Sequence, residues 1–163
     1  MTDLSLQDAL AKSLKAFLRD AGRKMPWGKE LRDIHVFTQQ LPVKRPEEFR
    51  DEDGDFGGQW DYVCVVLSEE ELKDDEWQVE VHFSIGIKDK DKECQGHRHV
   101  GNLMNEIFLH FARAGFLEDR YAMDRETAYK KYDLEGEYPY YQGDLITFWR
   151  MPAAQVEGLE GLI

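Results

Sequence analysis

The feature that most constrains this chain is an unbroken alternation from Trp77 to Ile87. Trp77, Val79, Val81, Phe83, Ile85 and Ile87 take turns with Gln78, Glu80, His82, Ser84 and Gly86. A strand points successive side chains to opposite faces, so this run predicts a β-strand with one face buried. The other face is wet or lies at an interface. One such strand is stable only inside a sheet, with neighbours along its edges and a layer packed on its apolar side. The rest of the sequence must supply both.

Partner strands are predicted on either side. Asp33 to Leu41 reads as a first strand, with Ile34 and Val36 on one side, closed by Pro42 and Pro46. Trp60 to Leu67 reads as a second. There Tyr62, Cys64 and Val66 face one way and Val63, Val65 and Leu67 the other, which implies cover on both sides. Ala128 to Leu134 and about Tyr138 to Met151 read as the last two strands, joined through Glu135-Gly136 and ended by Pro152. Residues 43–59 hold Pro, Gly and acids without a period and read as an exposed loop. Residues 68–76 read as an acidic connection containing one helical turn, and Lys88 to Glu93 as a solvated turn.

Two helices supply the cover. Leu6, Leu10, Leu14, Phe17 and Leu18 recur at helical spacing, with Ser5 and Asp8 placed to cap the start and Gly22 to end it. A second helix runs from about Gly96 to Ala114. Its apolar stripe is Val100, Leu103, Met104, Ile107, Phe108 and Phe111, and Gly115 stops it. His110 falls off that stripe and reads as a surface residue. The order helix, three strands, helix, two strands predicts an α+β fold. Its expected form is a mostly antiparallel sheet of about five strands with two main helices packed on one face. The 163 residues suit one domain over 1–152, with 153–163 as a C-terminal tail.

Charge separates along the chain. Residues 1–46 carry nine basic and five acidic residues, while 47–93 carry five basic and 17 acidic. The middle segment thus holds the equivalent of the whole net charge of −12. Tight nucleic-acid binding needs clustered Lys and Arg to neutralise phosphates, so it is disfavoured. Cys64 and Cys94 cannot make a disulfide framework and are expected as reduced thiols in an intracellular setting. No stretch approaches the roughly 18 apolar residues of a membrane span, and no leader pattern is seen, so neither export nor membrane insertion is expected.

Few residues fall in patterns that carry chemistry. Cys94, His97 and His99 offer three ligands crowded at a helix start, without the second pair of a tetrahedral zinc site. Asp51, Asp53 and Asp55 resemble the opening of a calcium loop, but Phe56 and Tyr62 stand where that loop needs Gly and Glu. There is no phosphate-binding Gly-rich loop and no nucleophile elbow. Ser84 shares a face with His82, a pair that makes a hydrogen bond without implying catalysis. No catalytic residue, metal or cofactor is expected. Tyr138, Tyr140 and Tyr141 put amphipathic rings at the mouth of the last strand, suited either to sealing the core or to a protein interface.

In order along the chain, several pieces resemble the tail terminator, or tail completion, proteins of long-tailed bacteriophages and prophages. They are Gln40-Leu41-Pro42, Asp61-Tyr62-Val63-Cys64-Val65-Val66, Val79 to Ile87 followed by Lys88-Asp89, and Gly101-Asn102-Leu103. The most telling is Tyr138-Pro139-Tyr140-Tyr141-x-Gly143-Asp144-Leu145-x-Thr147-x-Trp149-x-Met151-Pro152. The resemblance covers about residues 33–152 and carries no active site. It implies a virion structural protein assembled in the host cytoplasm, found at the tail–neck junction. Subunits would close a sixfold ring on the tail tube protein and present a docking surface to the head–tail connector.

On that basis Leu159, Leu162 and Ile163 of the tail are expected to reach a neighbouring subunit. Asp51, Asp53, Glu69, Glu70, Asp74 and Asp75 are expected to face the channel, where they repel DNA that passes without specific binding. Two alternatives stand. One is another neck component, such as a head-completion or stopper protein. The other is a small-molecule or enzymatic domain using the wet face of Gln78 to Gly86 with His82. A deep pocket beside His82 or Asp144 favours the latter, and a flat sheet surface opposes it.

Overall fold

A computed structural model describes residues 3–20, 34–41 and 60–152. The elements are α1 (Asp3–Asp20), β1 (His35–Thr38), β2 (Tyr62–Lys73), β3 (Glu76–Lys88), α2 (His97–Ala114), β4 (Phe116–Leu117), β5 (Tyr121–Met123), β6 (Tyr129–Tyr132) and β7 (Tyr140–Pro152). One sheet joins all seven strands in the order β1-β2-β3-β7-β5-β4, and β6 also pairs with β7. Only β1 and β2 run parallel; the other pairs are antiparallel. The fold is therefore α+β, with seven strands where about five were expected. The two added strands, β4 and β5, are two and three residues long, too short for an alternation to register. Among the described residues no helix is long and apolar enough to cross a membrane.

The alternating run is the middle of the sheet. β3 pairs with β7 along its whole length, from Glu76↔Pro152 to Lys88↔Tyr140. Val79, Val81, Phe83, Ile85 and Ile87 are buried on one face. The same face of β7 adds Leu145, Thr147, Trp149 and Met151, and β2 adds Val63 and Val65. Both helices pack here: Leu6, Leu10 and Leu14 of α1 and Val100, Leu103, Met104, Ile107 and Phe111 of α2 join one core cluster. Phe111 is its centre. Its ring stacks on Phe83 at 5.4 Å and meets Trp149 edge-on at 5.5 Å. Glycine lets helix and sheet approach closely, since a Cβ at Gly143 would lie 2.5 Å from Met104.

Several local expectations are corrected. Ser68 to Lys73 continue β2 instead of coiling, and Asp74 and Asp75 form the turn into β3 with φ of 53° and 60°. Two residues with positive φ make the tight turn that matches strand twist, and Asp tolerates it. An acid-rich run gives no strand signal of its own; the ladder to Trp77 and Val79 imposes one. Ser5 lies within the first turn of α1 and does not precede it. His110 is not a free surface residue: its Nε2 lies 2.9 Å from Ser13 Oγ and its ring stacks on Phe17 at 4.2 Å, tying α2 to α1. Gly115, with φ 72°, does close α2.

The outer edge of the sheet ends on a side chain. Gln39, with φ 69°, turns the backbone away from β2 just after β1. Its amide then takes the place of the next peptide group. Leu67 N donates to Gln39 Oε1 at 3.0 Å, and Gln39 Nε2 donates to the Leu67 carbonyl at 3.1 Å. Gln7 of α1 donates to Gln39 Oε1 and to the Val65 carbonyl, fastening the helix to the same point. Immediately beyond, the ladder to β3 shifts register between Leu67 and Glu70, as at a β-bulge.

Inside the core one polar relay is complete. Thr147 Oγ1 donates to the Val81 carbonyl and accepts from Trp149 Nε1–H, each at 2.9 Å, with Thr147 fully buried. Replacing Thr147 by Val keeps the volume but strands the indole N–H. Equilibrium unfolding should show Thr147→Val destabilised by about 1–3 kcal/mol, while Thr147→Ser, which retains both bonds, loses less.

Candidate functional site

The sheet face opposite the helices is half-buried and carries most of the polar side chains. The register places His35, Phe37, Tyr62, Cys64, Val66, His82, Ser84, Gln142 and Asp144 on it. His82 does not pair with Ser84. Its Nε2 lies 2.9 Å from Glu80 Oε2, its neighbour on the same face beside the bulge. Burial alone would raise the Glu80 carboxyl, but hydrogen bonds from His82 and Ser68 outweigh it and hold Glu80 below its ordinary value. His82 is thus committed to steadying the hairpin base.

At the other end of this face, aromatic rings gather. Trp60 lies 4.9 Å from both Tyr62 and Tyr140. Tyr62 and Trp60 rest on Gly86, where a Cβ would come within 2.3 Å of Tyr62 and 2.4 Å of Trp60. Gln142 Nε2 donates to Tyr62 Oη at 2.9 Å. Burial pushes the Tyr62 phenol up, the Gln142 bond opposes, and the charges of Cys64 and Asp144 add to the rise. Next to this cluster lies an open cleft of about 660 Å³, walled by Tyr62, Ser84, Lys131, Glu135, Gln142 and Asp144.

The three tyrosines of the last hairpin have separate fates. Tyr141 points to the helix side and seals the start of α2, its ring filling the space where Gly96 lacks a side chain. Burial and the adjacent Cys94 thiol push its phenol up. Tyr140 joins Trp60 on the other face. Tyr138 sits at the tip, where its hydroxyl donates to the Lys90 carbonyl at 2.5 Å and its ring stays 46% exposed. Core sealing therefore holds for Tyr141, and an outward role is left to Tyr138 and Tyr140. Sequence reasoning missed Leu134, 93% exposed on the same tip. Leu134 was expected to end a strand over Ala128 to Leu134, but the strand stops at Tyr132 and leaves the leucine on the loop beyond it.

Of the acids expected to face a channel, Glu69, Glu70, Asp74 and Asp75 are all exposed on the β2–β3 hairpin. Partial burial and contact with Asp3 of α1 raise the Glu70 carboxyl. Asp51, Asp53, Leu159, Leu162 and Ile163 lie outside the described residues. Cys94, His97 and His99 do not converge: His99 Nε2 lies 2.9 Å from Asp89, and the Cys94 thiol turns to the Lys92 carbonyl. Among the described residues no group of three or more His, Cys, Asp or Glu is arranged to hold a metal.

No family model matches this sequence, and no curated protein matches it either.

The two thiols differ sharply. Cys64 is buried and its thiol is pushed up to about 11, whereas Cys94 is exposed. At pH 8 only roughly a thousandth of Cys64 would be thiolate, and burial shields that fraction. Iodoacetamide on the native protein should label Cys94 alone, with Cys64 reacting once denaturant is added; intact mass reads the difference.

Proposed function

We propose that this chain is a tail terminator: a subunit that closes a ring on the end of a phage tail tube and offers its far side to the neck. The observation that carries the reading is the β6–β7 tip. Leu134 and Tyr138 project from a tip tied to the Lys90 carbonyl, and large apolar groups held in the open suit burial against another protein. The ordered resemblance across residues 33–152 supplies the identity of that protein as tail tube or neck. Its most telling stretch coincides with β7, the strand flanked by β3, β5 and β6. The acidic balance suits a channel that lets DNA through without holding it.

The test is co-sedimentation with head-less tail tubes, followed by negative-stain imaging. Rings at one tube end are expected. Binding only to heads would move the chain to a stopper or head-completion role, and indifference to both would remove the assembly reading. Leu134→Ser with Tyr138→Ser should weaken tube or neck binding at least about tenfold while leaving the thermal midpoint within a few degrees, since neither side chain lies in the core.

A second reading has one observation in its favour, the cleft beside Asp144. Its size is that of a small-molecule site, and its walls mix Lys131 with Asp144 and Glu135. A thermal-shift screen of charged metabolites checks it. A hit that raises the midpoint and is lost in Asp144→Ala would support it; no such hit would leave the cleft as a fold between hairpin and sheet.

A further inference from the structure

Two charged surfaces of opposite sign stand apart in this chain. One is a cleft of about 540 Å³ against the outer side of α1, lined by Asp8, Ala11, Lys12, Lys15, Arg19 and Thr38. Its floor is small, with Ala11 and Ala16, and its rim is mainly cationic. Thr38 places it at β1, the outermost strand on that side of the sheet. The other is the projecting end of β2–β3. There Glu69, Glu70, Glu71, Asp74, Asp75 and Glu76 surround a single cation, Lys73, and all are exposed. Leu72 lies among them, 57% exposed.

The two surfaces cannot meet within one copy. The hairpin is laddered to its turn, with Leu72 opposite Trp77 and Lys73 opposite Glu76, and β3 is held in turn by β7 as far as Pro152. The hairpin meets the start of α1, where Glu70 lies beside Asp3, the first residue of the helix. The cleft begins at Asp8 and extends to Arg19, so it opens progressively farther along the helix. A complement that is rigidly kept from its own partner surface is free to serve a neighbour.

We propose that the acidic β2–β3 hairpin of one subunit docks in the basic α1 cleft of a second copy of this chain. This rests on the ring proposed above and names the contact between its subunits. The contact is head-to-tail: different surfaces meet, and repetition closes a ring when the rotation allows. Between Ser68 and Lys73 no described strand occupies the outer edge of β2, so backbone groups there can join side-chain ion pairs at the contact. The crowding that raises Glu70 beside Asp3 would be relieved by an arriving Lys. The inference also moves Glu69, Glu70, Asp74 and Asp75 from the channel wall to a subunit boundary.

Charge reversal of each surface tests this. Lys12→Glu with Lys15→Glu makes the cleft acidic, and Glu69→Lys, Glu70→Lys and Glu71→Lys together make the hairpin basic; all five positions are solvent-facing, and circular dichroism confirms each variant folds. Sedimentation of the full chain, free and on head-less tubes, reads assembly. Each variant alone should assemble at least about tenfold more weakly than the parent. An equimolar mixture should recover, because each hairpin then meets a cleft of opposite sign in alternation. Carbodiimide coupling of mixed isotopic copies should join Lys12 or Lys15 of one to a hairpin acid of the other. Assembly that survives both reversals, or a mixture no better than its parts, overturns this contact while the ring itself stands. Absence of self-association both free and on tubes overturns contact and ring together.

Discussion

The ladder between β3 and β7 is the constraint on which the remaining structure depends. It fixes which face of each strand looks at the helices, and a slip of one residue would turn every core side chain outward. Register in turn brings Val81, Thr147 and Trp149 into a single relay and sets Phe83 and Trp149 on either side of Phe111. Helix α2 can settle only where Gly143 leaves room for Met104 and Val100. Helix α1 is then located from two directions, by Gln7 on β2 and by Ser13 and Phe17 on His110.

The result is a sheet with unlike sides. Apolar weight is concentrated beneath the helices, and the polar side chains that remain on the opposite face are largely occupied with one another. His82 serves Glu80, Gln142 serves Tyr62, and Trp60 covers Gly86. Among the described residues, the outward-reaching parts are the two hairpins, one acidic and one tipped with Leu134 and Tyr138.

Much of this was legible in the sequence where side-chain period and burial coincide. The alternation of β3 and the stripe of α2 each marked the element and its ends to within a few residues, because one buried face leaves a strong pattern. The hairpin at Ser68 to Asp75 did not, since its strands are held by backbone pairing and both faces are wet. Strands β4 and β5 were too short, and His110 was misjudged because a residue between two helices need not lie on the stripe facing the sheet. Of the candidate site, composition singled out Tyr138, Tyr140 and Tyr141 together and could not separate their directions. The destination of Tyr141 depended on a glycine 45 positions earlier, Gly96, and no local rule links the two.

The side-chain amide of Gln39 has a consequence for how copies of this chain can meet along the sheet edge. A sheet edge normally recruits whatever strand comes near, and many copies at high concentration would stitch into fibrils. Gln39 satisfies one peptide's worth of that edge from within the molecule, and the run beyond it is defended by carboxylates that repel an identical edge. Like copies therefore resist edge-to-edge growth. An arriving copy would have to strip that amide from the Leu67 backbone and press carboxylate against carboxylate before any ladder could begin.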